Sequence, residues 1–164
     1  MASNSRPPSD WQPTPRQMEL LFAELGLCLN VYQRIELQLK ALLPFLVDPR
    51  TGRTYLRNGN LNWRIFIDSK ETLGGLMKRL HEKTTAERLD EFESYWRTLV
   101  DYRNEVVHHF MEQPFSNLET AEKYSAARDF LVARRLHALP MHDSLDVAVA
   151  KLSKDLSSGS SGAA

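Results

Sequence analysis

The chain has 164 residues, 42% hydrophobic and 26% charged, which suits one domain with a full core and is short for two. Its 21 basic and 21 acidic residues cancel, so no global field draws it to phosphate polymers or to an anionic membrane, and any nucleic-acid contact must come from local patches. The single cysteine, Cys28, has no internal disulfide partner and sits in an apolar helical context. No apolar run approaches a membrane span, the first residues lack the apolar core of a signal peptide, and the expected location is cytoplasmic, without membrane contact.

Residues 1–13, rich in Ser and Pro, read as a flexible N-terminal tail, with Trp11 their one large apolar group. A single helical domain is expected over 14–156. Thr14-Pro15-Arg16-Gln17 combines an N-cap, a first-turn proline and a capping-box glutamine. Leu21, Leu25, Leu29, Tyr32, Ile35, Leu39 and Leu42 then recur at helical spacing, predicting a long amphipathic helix that Pro44 and the Asp48–Gly52 breaker cluster end.

Residues 49–67 lose that periodicity and predict a long loop between the first two helices. Arg50, Arg53, Arg57 and Arg64 alternate there with Tyr55 and Trp63, and the segment contains no acid. Cations interleaved with aromatic rings suit phosphates and unpaired bases, so these six residues are RNA-binding candidates. The competing reading is a solvated loop that Trp63 and Phe66 pin to the core.

Asp68-Ser69-Lys70-Glu71 has the form of a cap for a short second helix carrying Leu73, Leu76, Met77 and Leu80, in which Gly74-Gly75 either weakens the helix or marks a close contact. A third helix is predicted from Thr84 to Pro114, its apolar stripe running through Leu89, Phe92, Trp96, Leu99, Val106 and Phe110. Ser116-Asn117-Leu118-Glu119 is expected to cap a fourth that ends near Pro140, and a short fifth follows Asp143. Residues 157–164 read as a flexible Gly/Ser tail. The fold class expected is all-α: a four-helix up-and-down bundle with an additional short C-terminal helix and one long loop between helices 1 and 2.

The chemistry concentrates in Asp101-Tyr102-Arg103-Asn104-Glu105-Val106-Val107-His108-His109-Phe110, where a guanidinium, an amide, a carboxylate and two imidazoles share two helical turns. At about 100° per residue Asn104 and His108 share a face, whereas Arg103 and His108 diverge by roughly 140°. Arg103 must swing its long side chain round to join them, and a second copy related by a two-fold axis would bring two such sets into one cleft. Glu105 and His108 also form an E-x-x-H pair of the kind used in di-iron bundles, but there is no second pair, so no metal is expected. A structural alternative pairs Arg103 with Glu36 on the first helix and leaves His108 as a packing or capping residue.

Arg103-Asn104-Glu105-Val106-Val107-His108 resembles the R-x4-H motif of the HEPN superfamily, including the polar residue after the arginine, and Tyr32–Lys40 is similar to a first-helix segment often seen there. The resemblance spans roughly residues 16–139. It implies a dimeric helical domain that in many members is a metal-independent endoribonuclease of toxin-antitoxin or other defence systems, and in others only binds RNA or nucleotide. It implies catalytic roles for Arg103, Asn104 and His108, with His109 as a possible accessory group, and no cofactor. Implied partners are RNA, a second copy of the chain and a separate antitoxin or regulatory protein. Phe110 stands where some members carry a modified tyrosine, so control by tyrosine modification is not expected here.

Overall fold

The computed structural model describes residues 11–46, 67, 69–83 and 89–159. The described residues are all-helical, with four α-helices: α1 (Pro15–Leu42), α2 (Leu73–Glu82), α3 (Leu89–His108) and α4 (Ala121–Gly159). Two 3-10 turns, Leu43–Phe45 and Phe110–Glu112, follow α1 and α3. No described helix is long and apolar enough to cross a membrane.

The start of α1 follows its sequence signature. The Thr14 hydroxyl accepts from the Gln17 N–H, while the Gln17 side chain accepts from the Thr14 N–H at 2.8 Å. That satisfies two amide groups that the first turn leaves without helical partners. Of the expected apolar stripe, Leu21, Tyr32, Ile35, Leu39 and Leu42 are buried and Leu25 and Leu29 partly so, with Cys28 buried beside them.

The other boundaries differ from expectation. Thr72, not the Asp68–Glu71 run, caps α2, its hydroxyl accepting from the Gly75 N–H. Gly74 faces α3, where an added Cβ would meet Val100 at 3.7 Å, an ordinary packing distance, so the contact between the helices does not itself require a glycine there. The third helix stops at His108 rather than at Pro114: His109 leaves helical geometry and a 3-10 turn carries Phe110 over Phe115 and Phe130. Thr120, not Ser116, caps α4, accepting from the Lys123 N–H at 3.3 Å, after Leu118 adopts a left-handed φ of 49°.

The largest difference is α4. Its 39 residues run through Pro140, so the expected short fifth helix is the continuation of the fourth, and Ser157–Gly159, expected in the tail, belong to it. A proline inside a helix lacks the N–H that would bond four residues back and crowds that turn. Here the Tyr95 hydroxyl from α3 compensates. It donates to the His137 carbonyl at 2.7 Å, next to the Leu136 carbonyl that Pro140 leaves without its helical donor. Burial raises the Tyr95 hydroxyl above its ordinary pKa, so it stays a donor.

Inter-helix bonds fix the directions. Tyr124 bonds the Gln17 carbonyl, Arg135 pairs with Glu24, Tyr32 bonds the Arg134 carbonyl and Gln38 bonds Asp146, so residue numbers rise together and α1 and α4 run parallel. Contacts of α3 with α4 run the other way, Tyr95 against His137 and Glu105 against Arg134. The long helices therefore alternate as α1 up, α3 down, α4 up, and the parallel pairing of first and last helices differs from the strict alternation expected of a four-helix up-and-down bundle. Trp11, expected in the mobile tail, is partly buried with its ring 6.3 Å from that of Tyr124. The basic loop candidates Arg50, Arg53, Arg57, Arg64, Tyr55 and Trp63 lie outside the described residues.

Candidate functional site

The last two turns of α3 carry the site, and α1 supplies its opposite wall. Val106 anchors the segment in the core, which turns Arg103 toward α1 and leaves Val107, His108 and His109 exposed. The Arg103 side chain, only 22% exposed, stands with Nε 3.4 Å from the Glu36 carboxylate of α1. Its terminal nitrogen reaches Asn104 Oδ1 at 3.3 Å and His108 Nε2 at 3.0 Å. The swing that the roughly 140° divergence demands therefore takes place within one chain, and the fork of guanidinium donors makes it possible.

That contact assigns a proton. A guanidinium has no lone pair, so for Arg103 to donate, His108 Nε2 must be unprotonated and the imidazole neutral with its hydrogen on Nδ1. The Arg103 charge is balanced by Glu36, so the pair adds no net charge to the site.

These groups open onto a cleft of about 550 Å³ between α1 and the end of α3. Its walls are mostly apolar, with Leu25, Leu29 and Tyr32 at the base and Phe22, Val107 and Met111 at the rim. The rim side chains are strongly exposed, Phe22 at 61% and Met111 at 73%. The Tyr32 hydroxyl is turned away to the Arg134 carbonyl at 3.2 Å, and burial pushes its pKa well above the ordinary phenol value, so it acts as a wall and not as an acid.

Of the residues the sequence singled out, Arg103, Asn104 and His108 come together. His109 does not join them: its Nδ1 bonds Glu112 at 2.9 Å on the following turn, and its ring lies edge-on to that of His108 with centroids 6.3 Å apart. Glu105 faces the other way. One of its oxygens takes two bonds from Arg134, at 2.9 and 2.6 Å, and the Arg134 guanidinium lies over Phe130 and Tyr102. This ties α3 to α4 and separates Glu105 from His108, so the E-x-x-H pair does not converge on a common point. A different group, His142, Asp143 and Asp146, does bring three ligand-type atoms within 4.8 Å of one another. Its atoms already pair within the protein, His142 Nδ1 with Asp143 at 3.0 Å and Asp146 with Gln38 and Arg34.

Glu36 is the member of the site that the sequence supplied only as a structural partner for Arg103. Its place on the buried side of the Tyr32–Lys40 segment, one turn past Tyr32, is the signal that it faces α3. No family model, curated protein or solved structure matches the chain.

Proposed function

We propose that the chain is a metal-independent endoribonuclease of HEPN type, a toxin or defence component whose working site is composite at a homodimer interface. The observation that carries this reading is the convergence of Arg103 and His108 at one open cleft, with a 3.0 Å contact between guanidinium and imidazole and Asn104 bonded to the same guanidinium.

Cleavage without a metal needs a base for the ribose 2′-hydroxyl, a cation for the charge on the phosphorane and an acid for the leaving oxygen. Neutral His108, with its lone pair on Nε2, takes the 2′-hydroxyl proton as O2′ attacks phosphorus. Arg103 shifts from imidazole to phosphate and holds two of its oxygens. As the P–O5′ bond breaks, the leaving oxygen takes a proton from a second imidazole that enters the step as imidazolium, the His108 of a second copy across the cleft whose own Arg103 has turned to the phosphate and left its Nε2 free to carry a proton. The products are a 2′,3′-cyclic phosphate and a 5′-hydroxyl. Asn104 orients Arg103 through its side-chain oxygen. The exposed rim of Phe22, Val107 and Met111 supports a seam between copies on this face, since apolar side chains concentrate at the centre of interfaces.

Replacing Arg103 or His108 by alanine tests the reading, because both side chains leave the core intact. Each variant should retain wild-type helical circular dichroism and lose RNA cleavage by two or more orders of magnitude. Cleavage that persists in both would contradict the assignment.

A second reading, a non-catalytic HEPN-like module that binds RNA or nucleotide, is favoured by the Glu36–Arg103 pair, which neutralises the phosphate clamp in the chain alone. It expects RNA retention without turnover. The basic residues Arg50, Arg53 and Arg57 would then dominate binding, and neutralising all three together should weaken it and flatten its salt dependence.

A further inference from the structure

We infer that Glu36 is a positioning residue: its carboxylate holds the Arg103 guanidinium on His108 and so fixes which imidazole nitrogen is left as a base. This rests on the reading of Arg103 and His108 as the reacting pair, but the effect on the imidazole stands on geometry alone.

Arg103 and His108 leave the helix in directions that differ by roughly 140°, so helix geometry alone does not bring them into contact, and from α3 itself the guanidinium receives only the longer 3.3 Å bond to Asn104 among the described residues. The guanidinium is drawn toward α1 by Glu36 at 3.4 Å, across the same cleft, and in that position its terminal nitrogen reaches His108 at 3.0 Å. Glu36 and Arg103 are equally sheltered, with side chains 21% and 22% exposed, so their attraction is less screened than that of a surface pair. His108 by contrast is exposed and has no partner but Arg103 among the hydrogen bonds of the described residues.

The remaining charged or titratable groups near His108 cannot do this. His109 is engaged by Glu112, and Glu105 is held by Arg134 on the far face of α3. Two consequences follow. The Nε2 lone pair of His108 is selected and, in the resting chain, covered by an arginine N–H. A phosphate must then compete with Glu36 for the guanidinium, and when it wins, the lone pair is released beside it. Arg103 thus leaves the base at the moment the substrate arrives.

The test reads the imidazole directly, by long-range 1H–15N correlation of the histidines in the whole chain at about pH 8, above the ordinary imidazole pKa of about 6.5. Arg103→Ala identifies the signal that depends on the guanidinium, and His108→Ala assigns it. In the wild type His108 should show a hydrogen on Nδ1 and an unprotonated Nε2. Glu36→Ala should lose this signature to the same extent as Arg103→Ala, giving a tautomer mixture, and Glu36→Gln, which keeps an acceptor oxygen, should fall between. Circular dichroism of each variant should overlay that of the wild type. A wild-type His108 carrying its hydrogen on Nε2, or a Glu36→Ala spectrum identical to wild type, would overturn the inference. If the tautomer moves as described but the protein never cleaves RNA, the positioning role stands and the nuclease reading falls. If RNA is cleaved but the tautomer does not move, the nuclease reading stands and the positioning role falls.

Discussion

Cys28 is fully buried on α1 beside Glu24, and burial, reinforced by that carboxylate, pushes its thiol from the ordinary 9.0 up to about 11. At pH 8 the native thiol should be inert to a disulfide reagent and react only once the chain is unfolded; fast reaction of the native protein would contradict its burial. The sign of the linkage is set by the same shift. The folded state holds the proton between pH 9 and 11 while the unfolded state releases it, so the increment of stability present below pH 9 is lost as pH rises to 11. Comparison with Cys28→Ala by denaturant titration should show a difference that changes by up to about 3 kcal/mol across that window. Glu105 is the second residue whose role is sharply defined. Removing it leaves Arg134 half-sheltered without its partner carboxylate, and Glu105→Ala should cost about 1–2 kcal/mol without touching His108.

Among the helices, α4 makes the clearest demand on its neighbour. Pro140 opens the hydrogen-bond ladder and the Tyr95 hydroxyl bonds the His137 carbonyl in that turn. Tyr95→Phe should therefore cost about 1 kcal/mol in denaturant unfolding, because it removes the bond to the His137 carbonyl. In a Pro140→Ala background, where the helix can close on itself, the same change should cost much less; equal costs in both backgrounds would sink the coupling. The same contact separates what is legible in the sequence from what is not. The start of α1 is legible because Thr14 and Gln17 act within one turn. The continuation past Pro140 is not, because the group that permits it comes from α3, more than forty positions earlier in the chain. The end of α3 at His108 is likewise hidden: its apolar spacing continues to Phe110, and only packing of that ring on Phe115 and Phe130 turns the backbone out of the helix. The grouping of Arg103, Asn104 and His108 is legible from spacing and residue type, whereas the reach of Arg103 within a single chain depends on Glu36, a contact 67 positions away in sequence.

For the whole molecule, parallel α1 and α4 with α3 descending between them leave one end of α3 against the middle of α1, and the cleft is the space between. Its rim is the face on which a second copy is proposed to sit. Phe22→Asp and Met111→Asp change side chains that are already exposed, so each should preserve folding while converting a sedimenting dimer to a monomer; dimers that survive both changes would place the seam elsewhere. The proposed function is a chemical one, and one measurement tests it most directly: incubating the purified chain with single-stranded RNA in the presence of EDTA and identifying the ends formed. Cleavage should proceed unslowed by chelation and leave 2′,3′-cyclic phosphate and 5′-hydroxyl ends, as transfer to the neighbouring hydroxyl requires. Intact RNA at high protein concentration, or cleavage that appears only when a divalent cation is restored, would contradict it.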